Sequence, residues 1–518
     1  MQAARRGPLI QRPVSGSVNL PAPTGGWNAR DVLSEMAPND AVILENWFPS
    51  TTSVNQRYGY SEWATGLPAE TETLMNYAGP ASDKLFAACG TEIYDVTTAG
   101  AVGAAAVTTL SNARWQYINV STTGGNYLRA VNGEDKSIVY TGTVWAADGD
   151  GAPYDITDVD TADCVGIYLF KNRIWLVENN SLNVWYLGTN ALGGAATVFP
   201  LYGVAKLGGY VMAMASWTID AGQGADDYLV FVTSKGEVIV YKGTDPASAN
   251  TFALTGVWAM GAPVGRRCLM KYAGDLLLIC QDGVIPLSGA LQSSRVQPQV
   301  ALSYKIQRAV SDAVTNYGSN YGWETMYFPR ENQLWLNVPT SATERQQYVM
   351  NTITRAWSKY TGWDCVCFTL FNDSPYGGMA TSVVKLWDTQ ADNGIAINGN
   401  ALQAFQDYKL PGLRKRWVSM QPLIRTDGSP LIYGSMNIDF DETDPTTPIT
   451  VAPATGALWD AAIWGSSIWG SGLQINRFWQ GCSGVGVFGG VRLKTQASGM
   501  SIEWIATTLV MERGGILG

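Results

Sequence analysis

Two clusters of carboxylates are the side chains of this sequence best suited to chemistry. The first cluster falls between two predicted strand regions and consists of Asp148, Asp150, Asp155, Asp158, Asp160 and Asp163. Calcium prefers clusters of oxygen ligands, but the spacing here differs from that of an EF-hand loop, which needs acids at alternate positions and a distal Glu. We therefore predict a solvated loop, with a calcium site as the alternative.

The second cluster could support glycoside hydrolysis. It consists of Asp439, Asp441, Glu442 and Asp444. On a strand, Asp439 and Asp441 would share one face because side chains alternate with a period of two. Paired carboxylates are the catalytic groups of most glycosidases. A glycosidase or depolymerase is therefore one functional hypothesis for the chain.

The sequence contains no histidine, which removes the commonest general base, the Ser-His-Asp and Cys-His nucleophiles and most zinc sites. Its seven cysteines are odd in number and sparse, so they imply no disulfide framework. Cys365 and Cys367 are predicted on a strand with both thiols facing a core, with a metal or redox role as the alternative. We predict no catalytic residues, no cofactor and no metal site.

Composition narrows the class of protein. Only 15% of the 518 residues are charged, while 56 are Gly, 20 Trp and 24 Tyr, which is typical of a turn-dense β protein. The net charge of −9 argues against sequence-specific DNA binding but is compatible with a passage through which DNA slides.

No apolar stretch reaches 18 residues, so no membrane span is expected. The N-terminus has no apolar signal region, and synthesis in a reducing cytoplasm is expected.

The elements that must position these side chains are predicted to be short strands. A turn residue followed by a β-branched and aromatic strand recurs at intervals of 36 to 64 residues. The first apolar strand residues of these repeats are Ile93, Ile138, Ile174, Val238, Val284, Leu334 and Val383. Four short strands in each such interval indicate a β-propeller-like core of six or seven blades, with a sandwich or barrel as the alternative. A helix at 303–314 is predicted between the fifth and sixth markers, as an insertion on a blade.

The sequence predicts three segments in a mainly β protein. Residues 1–66 form an N-terminal arm and docking segment, residues 67–400 the propeller-like domain, and residues 401–518 a C-terminal β-rich domain. The basic run at 413–417 is predicted to be a solvated edge. Three tryptophans at five-residue spacing fit neither a simple helix nor a strand, and they are interface candidates with a core role as the alternative. These residues are Trp459, Trp464 and Trp469.

A distinctive block lies near the N-terminus. It reads GGWNARD at 25–31, DAVILENWFPS at 40–50 and RYGY at 57–60. Ala41, Leu44 and Trp47 fall at helical spacing, which predicts a Gly-Gly turn followed by a short amphipathic helix that Trp-Phe-Pro ends. The candidate docking residues of the block are Trp27, Asn28, Arg30, Asp31, Trp47 and Phe48.

This block resembles the opening of the tail nozzle proteins of short-tailed phages, also called packaged-DNA stabilisation or tail accessory proteins. The resemblance implies a virion protein in a six-fold ring below the portal adaptor ring. Such a ring carries tail fibres or spikes, closes the DNA channel after packaging and opens for ejection. It also implies a homo-oligomer through which double-stranded DNA passes without sequence-specific binding, and no catalytic residues. The alternatives are the glycosidase or depolymerase and a receptor-binding tail module.

Overall fold

The computed structural model describes residues 15–151, 153–220, 225–290, 298–449 and 473–514. The chain divides into two compact units, residues 1–57 with 394–518, and residues 58–393. These boundaries lie near the predicted ones at 66 and 400, but the first and third predicted segments belong to one unit. Residues 1–14 of the predicted arm lie outside the described residues, as do Trp459, Trp464 and Trp469.

Seven mainly antiparallel sheets follow one another through the described part of residues 58–393. Two short parallel pairings accompany them: Gly100–Ala101 pairs with Tyr60–Thr65, and Ile156–Thr157 pairs with Gly194–Ala195. Sheets 1 to 4 are built from Thr71–Tyr77, Lys84–Cys89 and Glu92–Asp95; Gln116–Thr122, Gly125–Val131, Ile138–Tyr140 and Trp145–Ala147; Cys164–Phe170, Arg173–Glu178, Asn183–Tyr186 and Thr197–Pro200; and Val211–Asp220, Ala225–Thr233, Glu237–Gly243 and Phe252–Ala259. Sheets 5 to 7 are built from Leu269–Tyr272, Asp275–Cys280 and Gly283–Pro286; Glu324–Phe328, Gln333–Pro339, Arg345–Asn351 and Trp357–Thr361; and Cys367–Phe371, Ser374–Gly378, Ser382–Leu386 and Tyr60–Thr65.

The first strands of these sheets form a ring. Each first strand contacts the first strand of the next sheet, and Cys367–Phe371 of sheet 7 returns to Thr71–Tyr77 of sheet 1. The closing contact includes a hydrogen bond from Asn76 Nδ2 to the Leu370 carbonyl, at 3.0 Å. Sheet 7 is completed by Tyr60–Thr65, which pairs with Ser382–Leu386. The predicted fold class, mainly β with a propeller-like core, is confirmed.

Each of the seven repeat markers lies on a strand of a different sheet. The predicted hairpins also form: Lys84–Cys89 pairs with Glu92–Asp95 across Gly90, and Ala225–Thr233 pairs with Glu237–Gly243 across Gly236. Both glycines have positive φ, 56° and 83°, which other residues adopt at a cost. The marker intervals are uneven because Ile174 and Leu334 lie on second strands and the other markers on third strands.

One sizeable helix interrupts the described sheets. Gln307–Tyr317 follows a 3-10 turn at Tyr304–Ile306, between sheets 5 and 6, which confirms the predicted insertion. Val310 and Ala313 are its buried residues. The shorter helical elements are Thr161–Asp163, Leu287–Ala290, Pro298–Val300 and Pro329–Glu331. Among the described residues, no helix has the length and apolarity that crossing a membrane requires.

The other unit contains two groups of paired strands around one core. One group is an eight-stranded sheet formed by Gln474–Arg477, Lys415–Thr426, Ile502–Arg513, Val54–Gln56, Trp47–Pro49, Ser15–Pro21, Gln480–Gly481 and Val485–Gly486. The other group is formed by Gly26–Trp27, Asp40–Glu45, Ile397–Gln403, Gly489–Ala497, Leu431–Ile438 and Pro448–Ile449. Buried Trp47, Trp504, Leu493 and Ile432 come from both groups and share one hydrophobic cluster.

The short helix predicted after the Gly-Gly turn is wrong. Residues 40–45 and 47–49 are strands. A β-bulge between Ala41 and Ile43 and the left-handed Asn46, with φ of 59°, shift the alternation. Ala41, Leu44 and Trp47 consequently all lie in the core despite a spacing of three, which in a regular strand would alternate faces.

Candidate functional site

Asn28 organises the turn that carries the distinctive N-terminal block. Its side-chain amide donates to Asp31 Oδ2 and to Asp40 Oδ2, both at 2.8 Å. Its side-chain oxygen accepts hydrogen bonds from the backbone nitrogens of Arg30, at 3.1 Å, and Asp31, at 3.0 Å. Asn28 itself is 2% exposed. The block is therefore a loop fixed by one buried amide, of the kind that Asn commonly forms in turns.

The outer side of this loop carries the exposed members of the block. Arg30 Nε lies 2.7 Å from Asp31 Oδ1, and Nη2 donates to Asp31 Oδ2 at 2.9 Å. Val32, the next residue, is 70% exposed. Arg30, Asp31 and Val32 thus form an accessible patch, which we call the docking loop, on a turn that Asn28 holds in place.

The aromatic members of the block lie further inside. Trp47 is fully buried, and its ring centroid lies 6.3 Å from that of Trp504 in an edge-on arrangement. Phe48 is also buried, while Trp27 is half-buried against the same hydrophobic cluster. Trp47 and Phe48 therefore stabilise the unit, whereas Arg30 and Asp31 are accessible to a partner.

The carboxylates of the first cluster, at 148–163, accept hydrogen bonds that hold their own loop in place. Asp148 accepts from the Ile156 nitrogen and the Thr161 hydroxyl, both at 2.6 Å, and lies 3.5 Å from buried Arg129. Asp155 accepts from the backbone nitrogens of Gly149 and Gly151. Within the described residues, no group of three or more His, Cys, Asp or Glu side chains could hold a metal ion. These carboxylates therefore stabilise the connection between sheets 2 and 3.

The second carboxylate cluster is divided among separate partners. The strand ends at Ile438 and Asp439 has a φ of 49°, so Asp439 and Asp441 do not share a strand face as predicted. Asp439 accepts from the backbone nitrogens of Val487 and Phe488. Asp441 instead bonds Thr443.

Asp444, the last aspartate of this cluster, bridges Arg492 and Lys494, at 2.8 and 2.7 Å. Hydrogen bonds from Lys494 and then Arg492 lower its pKa. The carboxylates of the cluster therefore serve three different local structures.

The Cys365-Val366-Cys367 motif is buried as predicted. Both thiols are free and almost inaccessible, although only Cys367 lies within a strand. Burial raises the pKa of Cys365 well above its usual value and that of Cys367 to about 12. Such thiols are inert at neutral pH because the thiolate is the reactive form.

The predicted solvated edge at 413–417 is wrong for Lys415 and for Trp417, which is 1% exposed. Lys415 is fully buried, and its ammonium donates to the carbonyls of Leu410, Leu413 and Val487 at 2.7–3.0 Å. Arg416 beside it is exposed and pairs with Glu512 at 3.4 Å. Lys415 is buried because three backbone carbonyls from two distant segments satisfy its three donors.

A polar cavity of about 520 Å³ lies in the propeller-like unit, at the starts of the first strands of sheets 2 to 6. Arg114, Arg266 and Arg267 line it together with Tyr210 and Tyr321. The guanidinium carbons of Arg114 and Arg267 lie 4.4 and 5.6 Å from the centre of the Tyr321 ring, and that of Arg266 lies 5.7 Å from the centre of the Tyr210 ring. Sequence reasoning missed this site because seven separate segments line it.

The three arginines differ in their counter-charges. Arg114 Nε lies 3.0 Å from Glu72 Oε1, and Arg267 Nη1 lies 3.0 Å from Glu324 Oε2. Arg266 Nη2 donates to the amide oxygen of Asn179 at 3.1 Å. Within the described residues, Arg266 Nη1 is buried without a hydrogen-bond partner. Burial lowers the pKa of Arg266, consistent with a guanidinium that has lost water.

No protein-family model matches the chain, and no curated protein matches it by sequence. Several solved structures are similar to about two thirds of this chain. The β-propeller domain of Myceliophteria thermophila Cps50 (Swd1) shares 13% identity at a TM-score of 0.40, covering 63% of this chain and 98% of that one. YCF48 from Cyanidioschyzon merolae shares 10% at 0.36, covering 63% and 98%. BBS1N, crystallised with ARL6DN, shares 9% at 0.39, covering 64% and 97%.

Proposed function

We propose that this chain is a structural subunit of the tail of a short-tailed phage. In this role it is a nozzle that closes the DNA channel after packaging and opens for genome ejection. The observation that carries the proposal is the block at 25–31, 40–50 and 57–60, whose sequence resembles the opening of the tail nozzle family.

The local structure of the block supports a docking role. Asn28 fixes the loop from within, and Arg30 and Val32 are exposed on its outer side. Trp47 anchors the following strands in the core of the same unit. A preorganised loop of this kind binds a partner with little ordering cost. We assign the portal adaptor ring as the partner of this loop.

The chemistry of the described residues favours a structural role over the glycosidase alternative. A glycosidase needs two carboxyl groups that flank one bond. Asp439 and Asp444 instead bond to separate partners in the fold, the backbone at 487–488 and the pair Arg492 and Lys494. The net charge of −9 suits a passage that does not retain DNA, because like charges repel phosphates.

The proposed assembly has defined partners. It is a homo-oligomer, a six-fold ring in the virion tail, attached to the adaptor ring above and to tail fibres or spikes at its side. Double-stranded DNA passes through it without sequence-specific binding. Interfaces in such obligate rings are large and rich in aromatic residues.

Co-expression with a portal adaptor protein from the same phage genome tests this proposal. We expect the full chain to join adaptor rings and to form six-fold particles in negative-stain images. Arg30→Glu should reduce the joined fraction at least about tenfold, because reversing a charge at an interface opposes docking. Arg308→Glu, at an 83% exposed side chain of the other unit, is the matched control. A chain that stays monomeric and never joins adaptor rings would overturn the proposal.

Two further assays separate the alternatives. Release of sugar from bacterial polysaccharide, abolished by Asp439→Asn or Asp441→Asn, would identify a glycosidase or depolymerase. Attachment of the isolated chain to host cells would identify a receptor-binding tail module. The nozzle proposal expects neither result.

A further inference from the structure

We propose that the cavity at the starts of the first strands of sheets 2 to 6 binds one oxyanion group, a carboxylate or a phosphate, of a small ligand, and that Arg266 neutralises it. This binding site is separate from the docking loop, and it does not depend on the nozzle function.

The first support is the distribution of charge. Arg114 and Arg267 are already paired with Glu72 and Glu324. Arg266 has no carboxylate within salt-bridge distance among the described residues, so its charge is the one that remains uncompensated at the cavity. Glu134 also lines the cavity and is exposed to solvent. Because Glu134 is in contact with solvent, it does not replace a buried counter-ion for Arg266, and the buried part of the lining favours an anion.

The second support is an unsatisfied donor. Arg266 Nη1 is buried without a partner in the described part of the chain, whereas Nη2 donates to Asn179. Buried donors of charged groups are nearly always paired, with protein groups, ordered water or a bound ion. Guanidinium groups match carboxylate and phosphate oxygens in a two-pronged geometry. A ligand oxygen in the cavity would therefore supply the partner that Nη1 lacks.

The third support is the size and lining of the cavity. Its volume of about 520 Å³ suits a small molecule. The Tyr210 and Tyr321 rings lie against the three guanidinium groups and restrict their positions. Gln116 and Ser319, also in the lining, add polar groups that could orient the rest of the ligand.

Thermal unfolding of the full chain tests the site. The probes are sodium phosphate, sodium glucuronate and a short DNA duplex, each compared with sodium chloride at matched ionic strength. We expect phosphate or glucuronate to raise the unfolding midpoint, because a ligand that binds only the folded state stabilises it. Whichever small anion gives the larger shift identifies the group, phosphate or carboxylate, that the site prefers.

Arg266→Gln should weaken binding of that anion at least about tenfold, since a charge-assisted hydrogen bond is lost. Arg266→Lys keeps the positive charge but not the planar, two-pronged donor geometry of a guanidinium. It should therefore weaken anion binding less than Arg266→Gln does. Arg308→Gln, at an exposed side chain outside the cavity lining, should leave the affinity unchanged. Without ligand, Arg266→Gln should have an unfolding midpoint equal to or above that of the wild type, because an unpaired buried donor is removed.

Three results would overturn the proposal. The first is no midpoint shift with phosphate or glucuronate. The second is an equal shift in Arg266→Gln, which would place the anion elsewhere. The third is binding of the DNA duplex alone, which would make the cavity part of a nucleic-acid surface. A lower midpoint of ligand-free Arg266→Gln, together with unchanged anion binding, would assign Arg266 a structural role.

Discussion

Arg267 and Glu324 form a largely buried ion pair inside the ring of sheets, with Nη1 and Oε2 3.0 Å apart. Arg267 Nη2 also donates to the Thr73 hydroxyl of sheet 1, at 2.8 Å, and to the Trp115 carbonyl next to sheet 2, at 3.2 Å. Glu324, in sheet 6, accepts from the backbone nitrogen of Phe368 in sheet 7. This ion pair therefore links sheets 1 and 2, which come first in the chain, to sheets 6 and 7, which come last.

Arg267→Met should lower the free energy of unfolding by about 3–5 kcal/mol, because it leaves the Glu324 carboxylate buried without its counter-charge. Burial raises the pKa of Glu324, and the Arg267 guanidinium opposes that rise. Chemical denaturation measures the change. The double variant Arg267→Met with Glu324→Gln should lose less than the two single changes added together. Additive losses would contradict the inferred coupling.

Trp47→Ala should cost about 3–5 kcal/mol of stability, because it leaves a cavity beside Trp504 in the core shared by two groups of strands. The matched control is Trp479→Ala at a side chain that is 56% exposed, where a change within about 0.5 kcal/mol is expected. Denaturation followed by circular dichroism compares the two. Equal losses would show that burial does not set the effect.

Asn28→Ala should destabilise the unit by about 1–3 kcal/mol, since Asp40 and the loop nitrogens lose a buried partner. Arg30→Ala, at the exposed end of the same loop, should change stability by less than about 1 kcal/mol because its pair with Asp31 is accessible to solvent. Adaptor binding should fall in both variants. A stable Asn28→Ala protein would contradict the role assigned to this amide.

Lys415→Met should cost about 3 kcal/mol or more, because three backbone carbonyls lose their shared donor. Arg416→Met, the neighbouring exposed position, should be nearly neutral. Urea unfolding distinguishes them. If the two substitutions had equal effects, the hydrogen bonds from Lys415 to the three backbone carbonyls would not contribute to stability.

Asp444 predicts an acid-sensitive contribution to stability. Its pKa is lowered in the folded protein, so its pairing with Lys494 and Arg492 stabilises the fold above the unfolded pKa and is lost as the pH falls through the folded pKa. Unfolding midpoints of the wild type and Asp444→Asn should differ at neutral pH and converge in acid. Glu442→Gln, at an exposed neighbour, should follow the wild type throughout. If the unfolding midpoints of the wild type and Asp444→Asn differed by the same amount at every pH, the stabilising role assigned to ionised Asp444 would be wrong.

Local patterns predicted much of the fold because hairpins are local structures. The turn at Gly90 and the strand at Ile93 follow from neighbouring residues, as does the helix around Val310. The strand at 40–45 was mistaken for a helix because a bulge and the left-handed Asn46 produced helical spacing. The burial of Lys415 could not be predicted, since its acceptor Val487 lies 72 residues away. The arginine cavity likewise depends on seven segments that only the ring brings together, and the Arg266-Arg267 pair before a strand was its local signal.

The strand Tyr60–Thr65, which completes sheet 7, has a kinetic consequence. Ser61 bonds Asp388, a partner 327 positions later in the chain. During synthesis, the short strand Gly100–Ala101 can pair with one edge of this strand early, but its antiparallel partner Ser382–Leu386 is absent until almost the whole propeller-like unit has left the ribosome. Closing so long a loop adds an entropic barrier, and topologies rich in such distant pairings fold slowly. Until then the edges of sheets 1 and 7 stay open to other chains, so newly made protein should depend on chaperones more than its final stability suggests.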